Sequence, residues 1–265
     1  ASLLEQTVLK KADEALEQGA IGLLFSGGVD STLIGYILKK HEKPFTAVSV
    51  GFQDNPGQKL PDDILAARSI AQTLGLEYLE DISDFEHVEN LFKETAAILG
   101  PELVNVVNVG VGSVEVQAIK KLKEKNPGIT HIFSGLGSEE IFAGYKRHAD
   151  SSDVHEECWN GLENMFERDL LRELALTRHF NLTAQTPFLD EMVIEKAMTI
   201  PVEWKLSEHG SKLILRKAAQ QLGLDDLFSQ RPKKAAQYGS RTHHALTKIS
   251  KKHGHAYIKE YLATL

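Results

Sequence analysis

Residues 25–32 read Phe-Ser-Gly-Gly-Val-Asp-Ser-Thr, behind the apolar run Ile21-Gly22-Leu23-Leu24 and ahead of a helical-looking stretch that reaches Lys40. Gly27 and Gly28 carry no Cβ, so the chain can turn sharply there and aim several backbone N–H groups at one phosphate oxygen. Asp30, Ser31 and Thr32 suit a helix start, where unpaired N–H groups and the positive end of the helix dipole favour an anion. The turn lacks the Gly-Lys-Ser/Thr ending of the nucleoside-triphosphate P-loop and the G-x-G-x-x-G spacing of dinucleotide sites. What it offers is the Ser26 hydroxyl and the Asp30 carboxylate. That pair suits pyrophosphate with Mg2+, an ion that takes one or two carboxylates along with phosphate oxygens.

A second cluster follows the apolar pair Ile132-Phe133: Ser134-Gly135-Leu136-Gly137-Ser138-Glu139-Glu140, then Gly144-Tyr145. Two glycines again permit close approach, and Asp30 with Glu139 or Glu140 can share a magnesium ion between two strand ends. Further along stand Pro187-Phe188-Leu189-Asp190, Lys212-x-x-Leu215-Arg216, and Arg231-Pro232-Lys233-Lys234-Ala235-Ala236-Gln237-Tyr238-Gly239-Ser240. Lys212 and Lys233 are point charges fit to neutralise β- and γ-phosphates, whereas Arg216 and Arg231 can grip oxygens bidentately.

The first loop resembles the S-G-G-x-D-S motif of the ATP pyrophosphatase superfamily, filled here by Ser26, Gly27, Gly28, Val29, Asp30 and Ser31. The later segments resemble the S-G-x-G-[SA]-D-E-x-x-x-G-Y, P-F-L-D, K-x-x-L-R and R-x-K motifs of the asparagine synthetase family. The wording of residues 233–241 is nearer to asparagine synthetase domain-containing proteins. The resemblance implies an ATP-dependent carbon–nitrogen ligase of the adenine nucleotide alpha hydrolase-like ATP pyrophosphatase fold. Such an enzyme adenylates a carboxylate, with aspartate the favoured acceptor, releases pyrophosphate, and lets ammonia displace AMP. By the same resemblance Asp30, Glu140, Lys212 and Lys233 are catalytic, and Asp30 and Glu139 hold Mg2+. Phe25, Ser26, Gly27, Gly28, Asp30, Ser31, Val50, Ser134, Gly135 and Arg231 would bind ATP, the adenine lying against backbone at Phe25, Val50, Ser134 and Gly135.

Several positions depart from that pattern. Glutamine-dependent members begin with a glutaminase domain whose nucleophile is the first cysteine, but this sequence opens at Ala1 and has one cysteine, Cys158. Free ammonia or a separate glutaminase subunit is then the expected nitrogen source, and a homo-oligomer is compatible. Leu136 stands where S-G-E-G members carry a glutamate, and it takes no proton. Thr183 and Gln185 replace the acid and arginine of G-[LV]-E-A-R-x-P-F-L-D, and Glu139 replaces an aspartate. ATP handling therefore reads as intact and the acceptor site as altered. Two other readings stay open: an ATP pyrophosphatase that modifies tRNA or a protein side chain, and a nucleotide-binding regulator without turnover.

These loops need elements to carry them. Helical periodicity predicts helices over 3–16, 60–74, 85–99 and 111–124, and β-branched apolar runs predict strands over 20–25, 45–52, 77–82 and 130–133. Alternating strands and helices imply a parallel sheet with helices on both faces, and ligands then sit beyond the carboxyl ends of the strands. After Tyr145 no strand-like run is expected. Helices are expected over 154–180, 191–198, 212–222 and 244–262, so residues 1–150 read as the α/β core and 151–265 as a helical region completing the site. The chain of 265 residues carries a formal net charge of −7 spread along its length, which argues against tight nucleic-acid binding. No apolar run approaches the roughly 20 residues that span a bilayer, and the single cysteine suits a reducing compartment, so a cytoplasmic protein with no membrane partner is expected. Cys158, Trp159 and Trp204 read as packing residues, and His243, His244, His253 and His255 as solvated or phosphate-facing side chains.

Overall fold

The computed structural model describes residues 1–55, 57–208, 210–231 and 235–265. Its first half alternates as predicted: α1 (Ser2–Leu16), β1 (Ala20–Leu24), α2 (Val29–Lys40), β2 (Thr46–Phe52), α3 (Asp62–Leu74), β3 (Tyr78–Ser83), α4 (Phe85–Leu99), α5 (Val106–Lys125) and β4 (Ile129–Phe133). Short helices α6 (Ser138–Ile141) and α7 (Lys146–Asp150) lead into α8 (Val154–Glu163), α9 (Leu171–His179), β5 (Thr183–Gln185), α10 (Glu191–Met198) and α11 (Val202–Lys205). The two-residue strands β6 (Leu206–Ser207) and β7 (Gly210–Ser211) precede α12 (Leu213–Leu222), α13 (Asp226–Ser229), α14 (Ala236–Gly239), α15 (Thr242–Lys252) and α16 (Ile258–Leu262).

The main sheet has the order β3-β2-β1-β4-β5, every pair parallel. Side-chain alternation assigns its faces. Ile21, Leu23, Ala47 and Phe133 join α1, α2 and α3 in one apolar cluster, whereas Val48, Val50, Ile129 and Ile132 meet Ala118, Ile119 and Leu122 of α5 in another. A third cluster binds α15 and α16 to α4 and α5 through Phe92, Val109, Val116, Leu246, Ile249 and Tyr261. The first cluster also takes in Phe142, Cys158, Phe188, Leu215 and Phe228, so the helical region is packed directly on the sheet. Each such large apolar side chain contributes about 1.5–3 kcal/mol by burial. The order in which strands are added reverses between β1 and β4, and the carboxyl ends of those two parallel strands therefore open a crevice. No helix among the described residues is long and apolar enough to cross a membrane.

Three expectations are corrected. Thr183–Gln185 forms a fifth parallel strand where none was expected, its register set by His131, Ile132 and Phe133 of β4; a three-residue edge strand has too little pattern of its own to be read locally. β6 and β7 add a small antiparallel pair. Neither 154–180 nor 244–262 is one helix: a π-helical turn at Phe166–Leu170 separates α8 from α9, and α15 ends at Lys252 before α16 begins at Ile258. In addition α5 starts five residues before residue 111, since Asn105 caps it by accepting from the backbone N–H groups of Val107 at 3.0 Å and Asn108 at 2.8 Å.

Candidate active site

The two glycine loops lie side by side at the strand ends. After β1, Gly27 adopts a left-handed φ of 68°, and a Cβ there would come within 2.9 Å of the Ala67 backbone nitrogen. Only glycine lets the loop lie against α3 in that way. The Ser26 hydroxyl accepts from Gly28 N–H at 3.3 Å, and the Ser31 hydroxyl donates to the Gly28 carbonyl at 3.3 Å. Arg231 braces the loop from outside: it donates to the Ser26 carbonyl at 2.9 Å and pairs with the buried Asp63 at 3.1 Å. The Ser49 hydroxyl holds the Phe25 carbonyl.

Asp30, Ser138, Glu139 and Lys212 meet between the loops. The Lys212 ammonium donates to both Asp30 oxygens at 2.8 and 2.9 Å and to the Ser138 hydroxyl at 3.1 Å, and it pairs with Glu139 Oε1 at 2.8 Å. Asp30 and Lys212 are almost wholly buried. Lys212 holds a left-handed backbone, φ 58°, at the start of α12. That conformation costs a non-glycine residue about 1–2 kcal/mol, and here it delivers the lysine to two carboxylates. Two hard oxygen donors around one point charge fit Mg2+, which needs no more than one or two carboxylates when phosphate oxygens complete its shell. Among the described residues no group of three or more His, Cys, Asp or Glu could hold a metal without such help.

Glu140 points elsewhere. Its carboxylate is the partner of Arg168 and lies 3.8 Å from Arg147. Burial pushes its carboxyl up despite the Arg168 charge. Arg147 covers the Tyr145 ring at 4.1 Å. The π-helical turn places Arg168 on Asp169 at 2.6 Å, and Asp169 accepts in turn from Arg172 at 3.3 and 3.4 Å. Arg172 also reaches Asn108 at 3.3 Å and Glu115 at 3.7 Å.

One cavity of about 230 Å3 joins these walls. Phe25, Ser26, Asp30, Ser31, Val50, Ser134, Gly135, Glu139 and Glu140 all line it, together with Leu136. Gly27 and Gly28 shape the loop behind it. Lys212 stands against its carboxylates, Arg231 against its loop, and Lys233 lies outside the described residues. Arg216 is not among the residues lining the cavity and spends its donors on the carbonyls of Ser211, Ser229 and Arg231. Gln185 enters through its backbone, accepting from Ser134 N–H at 3.1 Å. His244 and His253 pair with Asp54 at 3.5 Å and Glu89 at 2.9 Å and so anchor α15.

Sequence reasoning missed Ser49, Asp63, Ser138 and the wall of Glu115, Asp169, Arg172 and Glu173. A signal existed for Glu115, which shares one helical face with Val111, Val114 and Ala118, where a charge is out of place.

The asparagine synthase family model matches residues 1–153 and 147–261. A Methanocaldococcus jannaschii protein named as an asparagine synthetase is 29% identical over 99% of this chain and 53% of its own length. The human glutamine-hydrolysing asparagine synthetase is 30% identical over 77% of this chain and 36% of its own length. An asparagine synthetase domain-containing protein of Saccharomyces cerevisiae is 28% identical over 98% of this chain and 55% of its own length. The chain thus spans about half the length, or less, of these relatives. On motifs, geometry and a match that runs over nearly every residue, the chain belongs to the asparagine synthase family.

Proposed function

We propose that the chain is an ATP-dependent amide-forming ligase that cleaves ATP between its α- and β-phosphates. A carboxylate, with aspartate the favoured acceptor, attacks the α-phosphorus; pyrophosphate leaves, and ammonia then displaces AMP from the acyl-adenylate. The observation that carries this reading is the meeting of Asp30, Ser138, Glu139 and Lys212 beside the Ser26 loop. Residues 1–150 supply the ATP half of the site and 151–265 complete it, in a cytoplasmic protein.

In this reading the Ser26–Ser31 loop receives the departing pyrophosphate on its N–H groups and hydroxyls, with Gly27 and Gly28 giving the backbone its close approach. Phe25, Val50, Ser134 and Gly135 offer backbone groups to the adenine. Asp30 and Glu139 would hold Mg2+, which supplies charge neutralisation at the leaving phosphates. Lys212, released from its carboxylates, turns its ammonium to the β- and γ-oxygens, and Lys233 adds a second cation. Cationic groups aimed at charge that develops in the transition state are each worth about 2.7–4 kcal/mol. Arg231 keeps the loop in register, and Glu140 fixes the opposite wall by ordering Arg168. Ammonia is the nitrogen donor in this reading.

The test is pyrophosphate release from ATP with aspartate and ammonium present, followed by detection of the amide. Release that depends on both ATP and the acid, and that vanishes in Asp30→Ala, supports the reading. Release that survives Asp30→Ala refutes the magnesium assignment. Dependence on RNA or a protein in place of the free acid replaces the acceptor, and ATP binding without turnover under any acceptor replaces the ligase with a regulator.

A further inference from the structure

We propose that Glu173 receives the proton of incoming ammonium, docking the cation on a wall shared with Glu115 and supplying the base that the apolar Leu136 cannot provide. The inference rests on the ligase reading above. Ammonia is a nucleophile only as the free base, while near neutral pH it arrives as ammonium, so some group must take a proton before the acyl carbon can be attacked. Leu136 lines the cavity and offers none.

The far wall of the cavity supplies a candidate. Its arginines are committed: Arg168 to Glu140 and Asp169, Arg172 to Asp169 and Asn108, with Glu115 at 3.7 Å from the Arg172 Nε. Glu173 lines the same cavity at 7% exposure, and among the described residues its carboxyl has no hydrogen bond and no ion pair. Glu115 Oε2, buried beside it, lacks a hydrogen bond as well. A buried carboxyl turned to a cavity with no donor costs stability unless a ligand meets it.

The unspent groups on this wall are the Glu173 and Glu115 carboxyls and the Arg172 Nε that pairs with Glu115 at 3.7 Å, framed by the apolar Val111, Val114, Ala118 and Leu136. That arrangement fits a small cation bearing N–H donors and repels a carboxylate. Ammonium is the small cation the proposed reaction consumes. The charged groups around Glu173 are Glu115 from α5, Asp169 from the π-helical turn and Arg172 from α9 itself; burial first, then Glu115, raises its carboxyl well above the usual carboxylate range, which makes it a stronger proton acceptor than an exposed glutamate.

The step balances. Ammonium transfers one proton to the Glu173 carboxylate, leaving neutral ammonia and a carboxylic acid. The ammonia lone pair forms the C–N bond at the acyl carbon, the C–O bond to the adenylate breaks, and the extra proton of the adduct leaves on the AMP oxygen. Glu173 returns its proton to solvent.

The experiment compares wild type with Glu173→Gln, nearly isosteric, and Glu173→Asp. Acid-dependent exchange of pyrophosphate into ATP reports the half-reaction that involves no ammonia. Amide formation is then measured with ammonium and with hydroxylamine, which is already a neutral nucleophile at neutral pH. The expected result is exchange and hydroxamate formation near wild type in Glu173→Gln, ammonia-dependent amide formation down about 100-fold, and partial recovery in Glu173→Asp. Unchanged ammonia use in Glu173→Gln overturns the assignment. So does an equal loss of ammonia use, hydroxylamine use and exchange, the mark of a merely structural role. Wild-type protein that exchanges with no acid overturns the ligase reading itself, and this inference with it.

Discussion

Gly144→Ala tests the cluster of Asp30, Ser138, Glu139 and Lys212 without touching a charged residue. A Cβ on Gly144 would lie 1.7 Å from Glu139 Oε2 and 2.4 Å from Lys212 Cε, far inside the 3.0 Å that real Cβ atoms respect. Gly144 is not among the positive-φ residues, so alanine suits its backbone and the whole conflict falls on the two side chains. Lys212 is held by Asp30 at 2.8 and 2.9 Å and by Ser138 at 3.1 Å. Glu139, with 17% of its side chain exposed, is the easier group to move. Losing its charge-assisted contact to Lys212 costs about 1.5–3 kcal/mol of stability. The larger effect falls on activity, because one of the two carboxylates assigned to Mg2+ leaves. A loss of about 2.7 kcal/mol in transition-state stabilisation, close to 100-fold in rate, is expected, together with a higher magnesium requirement. Gly57→Ala is the control, since a Cβ there meets nothing within 4 Å; its stability should lie within about 0.5 kcal/mol of wild type. Urea unfolding and magnesium-titrated pyrophosphate release measure both variants. If Gly144→Ala releases pyrophosphate within about threefold of wild type at every magnesium concentration, Glu139 is not a working part of the site.

Lys205 is wholly buried and its ammonium donates only to Met198 Sδ, at 3.7 Å, among the described residues. Burial pushes it below its usual 10.5, so the stability tied to it is full above that value and is lost as pH falls. Lys205→Met should therefore raise stability by about 1–3 kcal/mol, and the gain measured by denaturant unfolding should widen toward acid; a destabilised variant would contradict this. Glu89 ties α4 to α15, and its hydrogen bond to Lys252, helped by Lys93 and His253, pulls its carboxyl to about 2 against the opposing cost of burial. Its contribution is present above the ordinary value of 4.5 and lost as pH falls toward 2. Glu89→Gln should remove up to about 3 kcal/mol at neutral pH and flatten the acid limb of the stability curve, while an unaltered limb would show the pair to be idle. Arg231→Met releases the Ser26 carbonyl and removes the Arg231 contact to Asp63. The KM for ATP should rise about tenfold, a change of 1.4 kcal/mol, with the fold intact by circular dichroism; an unchanged KM would show that the loop holds itself.

What could be read from the sequence divides along local and non-local lines. The Ser26–Ser31 turn and the Ser134–Glu140 turn announce themselves because glycine, hydroxyl and carboxylate must be neighbours in sequence to shape one loop. Four strands were legible for a similar reason: each carries enough β-branched or apolar residues to show its own pattern. Thr183–Gln185 does not, because what makes it a strand is the edge of β4, some fifty residues earlier, waiting to be paired. Glu140 was equally opaque. In sequence it stands beside Glu139 as a second acid of one motif, yet a single step along a helix turns a side chain by about 100°. Glu139 therefore meets Lys212 while Glu140 meets Arg168. Adjacent carboxylates on this helix start therefore belong to different walls of one cavity. The far wall repeats the lesson from the other side. Glu115, Arg172 and Glu173 come from α5 and α9, where charged residues read as a solvated face. They become a site only because those two helices pack on each other, and Glu115 had already betrayed this by sitting in the apolar stripe of Val111, Val114 and Ala118. A charge inside an apolar stripe asks for a partner, and in this protein Glu173, whose carboxyl has none among the described residues, lines the cavity where the proposed proton transfer is placed.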